Sequence, residues 1–146
     1  MSKKVLLDTN LIISASDRKN KKHKEALEEI TRLVEDDDIE LCITPLIRYE
    51  VLRGIPFDDS DSYEDLKEML DGFIELDIKR NTSELASNLF RYARHCKRGI
   101  VNKRSFDVFH CTTAKCNQCE THSHDGDIAK IEGLHDDYIK LINQSK

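Results

Sequence analysis

Nowhere in the 146 residues is there an apolar run near the roughly 18 residues that a membrane span requires. After the basic start Met1-Ser2-Lys3-Lys4, only Val5-Leu6-Leu7 precedes Asp8. That is too short for the apolar core of a secretion signal. A cytoplasmic protein without a membrane partner is therefore expected. Cysteine lacks an even count, with Cys42, Cys96, Cys111, Cys116 and Cys119. An odd count without a secretion signal disfavours a disulfide framework. Positive charge is also in deficit, with 23 Lys and Arg against 28 Asp and Glu and a net charge of -5. This argues against a protein that coats DNA. It leaves room for an RNA enzyme, because enzymes that chelate cations gather carboxylates and the bound metal reverses the local sign. Internal repeats, low-complexity tracts and linkers are missing, so one domain over residues 1–146 is expected.

What is present reads as alternating strands and helices. Hydrophobic residues make up 38% and charged residues 35%, enough for one core under a heavily charged surface. Val5-Leu6-Leu7 suits a buried strand ending at Asp8. Ala26, Leu27, Ile30, Leu33 and Val34 recur at helical spacing over residues 19–35. Ile39 to Ile43 reads as a second strand. Thr44-Pro45 opens a helix, with Thr44 as its cap, that stops near Gly54. A helix over residues 62–71 and a strand from Phe73 to Leu76 come next. Asn81, with Glu84 three residues on, resembles a capped start to a long helix. Ser105 can cap another, reaching about Lys115. Cys119 to Ser123 suits a strand, and Asp127 to Ile131 a short helix. Tyr138 to Ile142 reads as a strand or a last helical turn. The alternation predicts an α/β class with a parallel sheet covered by helices.

Several acids fall where such a sheet places chemistry. Ligands of open parallel sheets bind beyond the carboxyl ends of the strands, and Asp8 directly follows the first strand. Its bland alternative is a turn aspartate that caps the next helix. Glu50 lies four residues after Leu46 and three after Ile47, on the inward face of its helix. A carboxylate there costs free energy unless it is paired or binds a cation; Arg48 and Arg53 offer the simple ion pair. Asp107 lies in the first turn of a helix, where the dipole alone favours an acid. Asp125 and Asp127 flank Gly126, which could be no more than a turn. Together these hard oxygen donors suit Mg²⁺ or Mn²⁺. Two basic clusters could touch phosphates: Lys19, Lys21, Lys22 and Lys24, and Arg94, Lys97, Arg98, Lys103 and Arg104. Lys103 and Arg104, just before Asp107, are the candidates for positioning a substrate.

The order and context of these acids resemble the PIN-domain nucleases, particularly the VapC-type toxins of toxin–antitoxin pairs. Val5-Leu6-Leu7-Asp8-Thr9-Asn10 is similar to that family's first strand and D-T-N motif. Thr44 through Gly54 is similar to its second motif, a helix with a metal-binding glutamate. Asp107 matches its third acid, and Ser123-His124-Asp125-Gly126-Asp127-Ile128 its closing motif. The resemblance implies a three-layer α/β/α fold around a central parallel sheet, a homodimer, and Mg²⁺- or Mn²⁺-dependent endoribonuclease activity. It implies that Asp8, Glu50, Asp107 and Asp125 hold the metal, with Asp127 auxiliary. It implies that Thr9 orients the first carboxylate and that Ser123 stands in for the usual threonine. A tRNA or ribosomal RNA would be the target, and an antitoxin the partner. The chain departs from the pattern at Val108-Phe109-His110-Cys111-Thr112-Thr113-Ala114, where the family has an alanine-rich apolar helix. It departs again at Gln118 to His122, where the family has an apolar strand.

Rival readings rest on other residues. Cys116, Cys119, His122 and His124 form a C-x₂-C-x₂-H-x-H run that could bind zinc in a PIN-like binding module, although no second, widely spaced ligand pair closes a finger. An aspartate-nucleophile phosphatase wants an acid two residues after Asp8, where Asn10 stands. A receiver domain wants an acidic pair at the end of the first strand, and none is there. A non-toxin RNA-processing nuclease is the remaining alternative.

Overall fold

The apolar run that opens the chain becomes an inner strand of a sheet. In the computed structural model, whose described residues are 2–99, 101, 104–123 and 126–144, strand β1 spans Lys3–Leu7 and buries Val5, Leu6 and Leu7. It pairs in parallel with β2 (Ile39–Ile43), which pairs in parallel with β3 (Ile74–Glu75). On its other side β1 pairs in parallel with β4 (Glu120–His122), giving the order β3-β2-β1-β4. The two inner strands carry the apolar runs and the two edges are short. The expected α/β class, with a central parallel sheet flanked by helices, is present.

Strand β4 forms from material too polar for an inner strand, and its place at an edge explains why. Glu120 is exposed and Thr121 and His122 are half-buried. Lys3 Nζ lies 2.7 Å from Glu120. An edge strand pairs on one side only and tolerates polar side chains on the other.

Contacts gather into two units, Met1–Asp77 with Gln118–Ser123, and Ile78–Asn117 with His124–Lys146. The first unit contains the sheet and four helices: α1 (Thr9–Ser16), α2 (His23–Glu35), α3 (Pro45–Leu52) and α4 (Ser60–Asp71). Helix α2 starts four residues later than its apolar spacing suggests. Asp17 accepts from the Lys19 amide at 3.0 Å and Asn20 from the Lys22 amide at 2.9 Å. These side chains offer the backbone turns in place of a helix. Its buried stripe is also narrower than expected: Ala26, Ile30 and Leu33 are inside, while Leu27 and Val34 are exposed. Helix α3 begins as expected, with Pro45 in the first turn and Thr44 Oγ1 accepting from the Ile47 amide at 3.1 Å. Asp59 accepts from the Ser62 amide at 3.1 Å and starts α4 at Ser60.

The second unit is helical among its described residues: α5 (Arg80–His95), α6 (Ser105–Cys116) and α7 (Gly126–Gln144). Asn81 does not cap α5, which begins one residue earlier. Ser105 is likewise the first helical residue of α6, with Arg104 at the cap position. Leu89, Ala93, Val101, Val108, Cys111, Ile128, Ile131 and Leu134 form the core. Helix α7 is longer than its sequence suggests. It passes through Gly133 at a cost of about 1 kcal/mol relative to alanine. Burial of Ile131, Leu134 and His135 on either side offsets that cost. Tyr138, expected in a terminal strand or a last helical turn, lies within the helix and packs on Tyr92 with ring centres 5.3 Å apart. The polar run in α6 is accommodated within the helix. Thr112 and Thr113 are fully buried, and each hydroxyl donates to the carbonyl four residues back, Val108 at 2.9 Å and Phe109 at 2.8 Å.

Candidate functional site

In the first unit Asp8 stands at the end of β1, at the cap position of α1, and is 4% exposed. Its side chain makes no capping hydrogen bond, so the simple turn role does not explain why an acid is there. Instead, Oδ2 accepts from the Ser123 hydroxyl at 2.9 Å. The Asp8 amide also donates to the carbonyl of His122 at 3.1 Å. The last residue of β4 therefore holds Asp8 by its main chain, and Ser123, the residue just after the strand, by its side chain. A buried carboxylate is costly unless polar or cationic partners compensate.

Glu50 is on α3, beside the fully buried Ile47 and Val51 but itself half-buried. Its Oε1 accepts from the Thr9 hydroxyl at 3.1 Å. Thr9 was expected to orient Asp8; its hydroxyl reaches Glu50 instead. Thr9 is the first residue of α1, and neighbouring residues entering a helix do not face each other. Arg48, one candidate for a bland ion pair with Glu50, is engaged elsewhere. Its Nε lies 2.8 Å from Glu75 and its Nη1 2.8 Å from Asp71. These bonds, with that to Glu75 foremost, raise the Arg48 pKa against the opposing effect of burial. Arg53 lies over the Tyr49 ring at 5.4 Å.

In the second unit Asp107 occupies the first turn of α6 and is 8% exposed. Asp127 occupies the first turn of α7. One guanidinium joins them: Arg104 Nη1 lies 3.5 Å from Asp107 and Nη2 lies 3.1 Å from Asp127. Lys130 adds a contact with Asp127 at 3.6 Å. Arg104, expected to position substrate, thus bridges two of the candidate acids. In the second basic cluster, Arg98 pairs with Asp137 at 2.7 Å and Arg94 lies over Phe90 at 5.9 Å. Lys19, Lys21, Lys22 and Lys24 are all exposed.

The expectations for Asp125, Lys103 and His124 lie outside the described residues. Among the described residues, no three His, Cys, Asp or Glu side chains cluster closely enough to hold a metal ion. The donors within each unit nevertheless suit a hard cation. They are carboxylates and hydroxyls, and the two most buried acids, Asp8 and Asp107, carry a desolvation cost that a divalent ion would offset.

The zinc-type run is committed differently. His122 Nε2 lies 2.7 Å from Glu29 of α2. Cys119 is buried with its thiol beside that of Cys42. Burial, reinforced by that neighbour, pushes the Cys42 thiol up to about 11, which makes it a poor thiolate ligand or nucleophile. Cys116 is exposed. No disulfide joins any of the five cysteines. Sequence reasoning missed Glu29, which lies far from any motif and shows only as an acid on an amphipathic helix.

A family model described as PIN domain matches residues 5–134. Among solved structures, the chain is similar to one in the crystal structure of VapBC2 from Rickettsia felis bound to a DNA fragment from their promoter. The TM-score is 0.66 and the identity 13%, over 88% of this chain and 92% of that one. At that identity the likeness bears on the fold alone. No curated protein matches the sequence.

Proposed function

The chain belongs to the PIN-domain family, and from that premise we propose that it is a metal-dependent endoribonuclease, the toxin of a toxin–antitoxin pair. PIN domains are nucleases and generally use divalent metal ions. The observation that carries the reading is Asp8. It is a buried acid at the end of an inner parallel strand that leaves its own helix uncapped and is held by Ser123 instead.

In this reading residues 1–146 form one PIN-like domain. Asp8, Glu50, Asp107 and Asp125 would hold Mg²⁺ or Mn²⁺, and Asp127 would be an auxiliary acid. A bound ion of this kind neutralises a scissile phosphate and lowers the pKa of water. Ser123 fixes the Asp8 carboxylate in one orientation. Thr9 does the same for Glu50. Arg104 balances Asp107 and Asp127, and it and Lys103 would position the substrate by its phosphates. The target is a tRNA or ribosomal RNA, the setting cytoplasmic and the assembly a homodimer. A cognate antitoxin is the protein partner; the similar solved structure is of VapBC2 with promoter DNA.

Inducing the full chain in a bacterial host and mapping RNA 5′ ends tests this. Growth arrest with new ends in tRNA or ribosomal RNA is expected, and both should vanish with Asp8→Ala or Glu50→Gln. New ends without arrest would favour a processing nuclease. Neither arrest nor new ends would overturn the reading.

A further inference from the structure

The end of strand β4 and the residue after it, His122 and Ser123, carry two of the contacts that hold Asp8, yet the strand's own pairing is slight. It has three residues, sits at the sheet edge and meets β1 only through Val5 with Glu120, Leu6 with Thr121 and Leu7 with His122. Side-chain pairs at both ends of the strand supplement that pairing. At the far end Lys3 meets Glu120, with both side chains more than half exposed, where an ion pair is worth little. At the Asp8 end His122 Nε2 meets Glu29 Oε1 at 2.7 Å, with side chains only 29% and 21% exposed. Glu29 is in turn held by Arg32 one turn along α2. Burial works against the Glu29 carboxylate, but hydrogen bonds from Arg32 and His122 outweigh it and hold its pKa below the usual range. An acceptor fixed on a 13-residue helix thus grips the last residue of β4. The carbonyl of that residue accepts from the Asp8 amide, and the hydroxyl of the next residue donates to the Asp8 carboxylate.

We propose that the Glu29–His122 pair is a strut that positions Asp8: Glu29 and His122 are positioning residues for the cation site, acting through the end of β4. The reason is mechanical. Ser123 aims Asp8 only as well as the end of β4 is fixed, and the strut is a half-buried tie at that end. Partners that orient a metal ligand from behind commonly change metal affinity by about 10–100-fold when lost. The strut rests on the reading of Asp8 as a metal ligand, so its test must separate the two.

The experiment is Mn²⁺ titration by calorimetry on the full chain and on Glu29→Ala, Glu29→Gln, His122→Ala and His122→Gln. Thermal melts of the metal-free proteins accompany it. Glu29→Ala and His122→Ala should weaken Mn²⁺ binding by about ten-fold. His122→Gln should stay close to the parent, because its amide can donate from nearly the same place as Nε2. A purely structural role would lower melting temperatures and leave Mn²⁺ affinity unchanged; that result overturns the proposal. If Glu29→Ala does not fold, Glu29→Gln, which keeps the shape and loses the charge, carries the same prediction with a smaller effect. If the parent chain binds no Mn²⁺, the metal reading falls, and the strut is judged on hydrogen exchange of the Asp8 amide in metal-free protein. Faster exchange in Glu29→Gln and His122→Ala supports it, and unchanged exchange overturns it.

Discussion

Ser123→Ala removes one hydroxyl and little volume, which makes it a clean probe of how Asp8 is held. The hydroxyl donates to Asp8 Oδ2 at 2.9 Å, and Asp8 is 4% exposed. A hydrogen bond to a charged group contributes about 1.5–3 kcal/mol. Ser123 is half-buried, so water can replace part of what is lost, and the lower end, about 1.5 kcal/mol, is the better figure. In a chain of this length each kcal/mol moves the melting temperature by roughly 2–4 °C. A fall of about 5 °C is therefore expected in metal-free buffer at neutral pH. Mn²⁺ affinity, read by calorimetry, should fall by about ten-fold, the lower end for loss of a partner that orients a ligand. Ser123→Thr keeps the donor and should restore both. If Ser123→Ala melts with the parent and binds Mn²⁺ equally well, the hydroxyl does not hold Asp8 and the geometric argument fails.

Three further perturbations reach other parts of the molecule. Ile131 is fully buried in the helical core, so Ile131→Ala should cost about 2–5 kcal/mol and lower the melting temperature by about 10 °C in a calorimetric scan. His135 is 6% exposed, its Nε2 has no hydrogen-bond partner among the described residues, and burial, then Lys115, lowers its pKa against the opposing pull of Asp136. The unfolded chain therefore takes up this proton first; the stabilising effect is complete above the ordinary value of 6.5 and is lost as pH falls below it toward the folded value. His135→Leu should flatten the fall in melting temperature between about pH 7 and 5.5, and an unchanged slope would assign the fall to other groups. Arg104→Gln removes the cation that Asp107 and Asp127 share; the metal-free protein should be less stable and gain more in melting temperature from added Mn²⁺ than the parent does.

The framework of the first unit was legible because its signals are local. Val5 to Leu7 is an apolar run and Ile39 to Ile43 a mostly apolar one, both short enough to read as strands, and Thr44-Pro45 announces a helix start by cap and ring together. The errors have physical causes. Asp17 and Asn20 pull the backbone into turns where the apolar spacing favoured helix. The strand expected over Cys119 to Ser123 does form, over Glu120–His122, but its polar residues gave no sign of its edge position, a fact of topology rather than of composition. Gly133 lies within α7, where burial on either side outweighs it. At the candidate site, the acids could be named from spacing and context. Their partners could not: Ser123 lies 115 residues from Asp8, Thr9 lies 41 from Glu50, and Glu29 meets His122 across the chain. Arg104 was noticed for its charge, but its bridge between Asp107 and Asp127 depends on how α6 and α7 begin.

Metal-dependent RNA cleavage is decided by the purified full chain, stripped of metal by a chelator and then resupplied with Mn²⁺. Total RNA should stay intact in the chelator, be cut when Mn²⁺ is restored, and stay intact throughout with Asp8→Ala. RNA left whole in Mn²⁺, or cut equally well by Asp8→Ala, would mean that Asp8 and its cation do not carry the reaction.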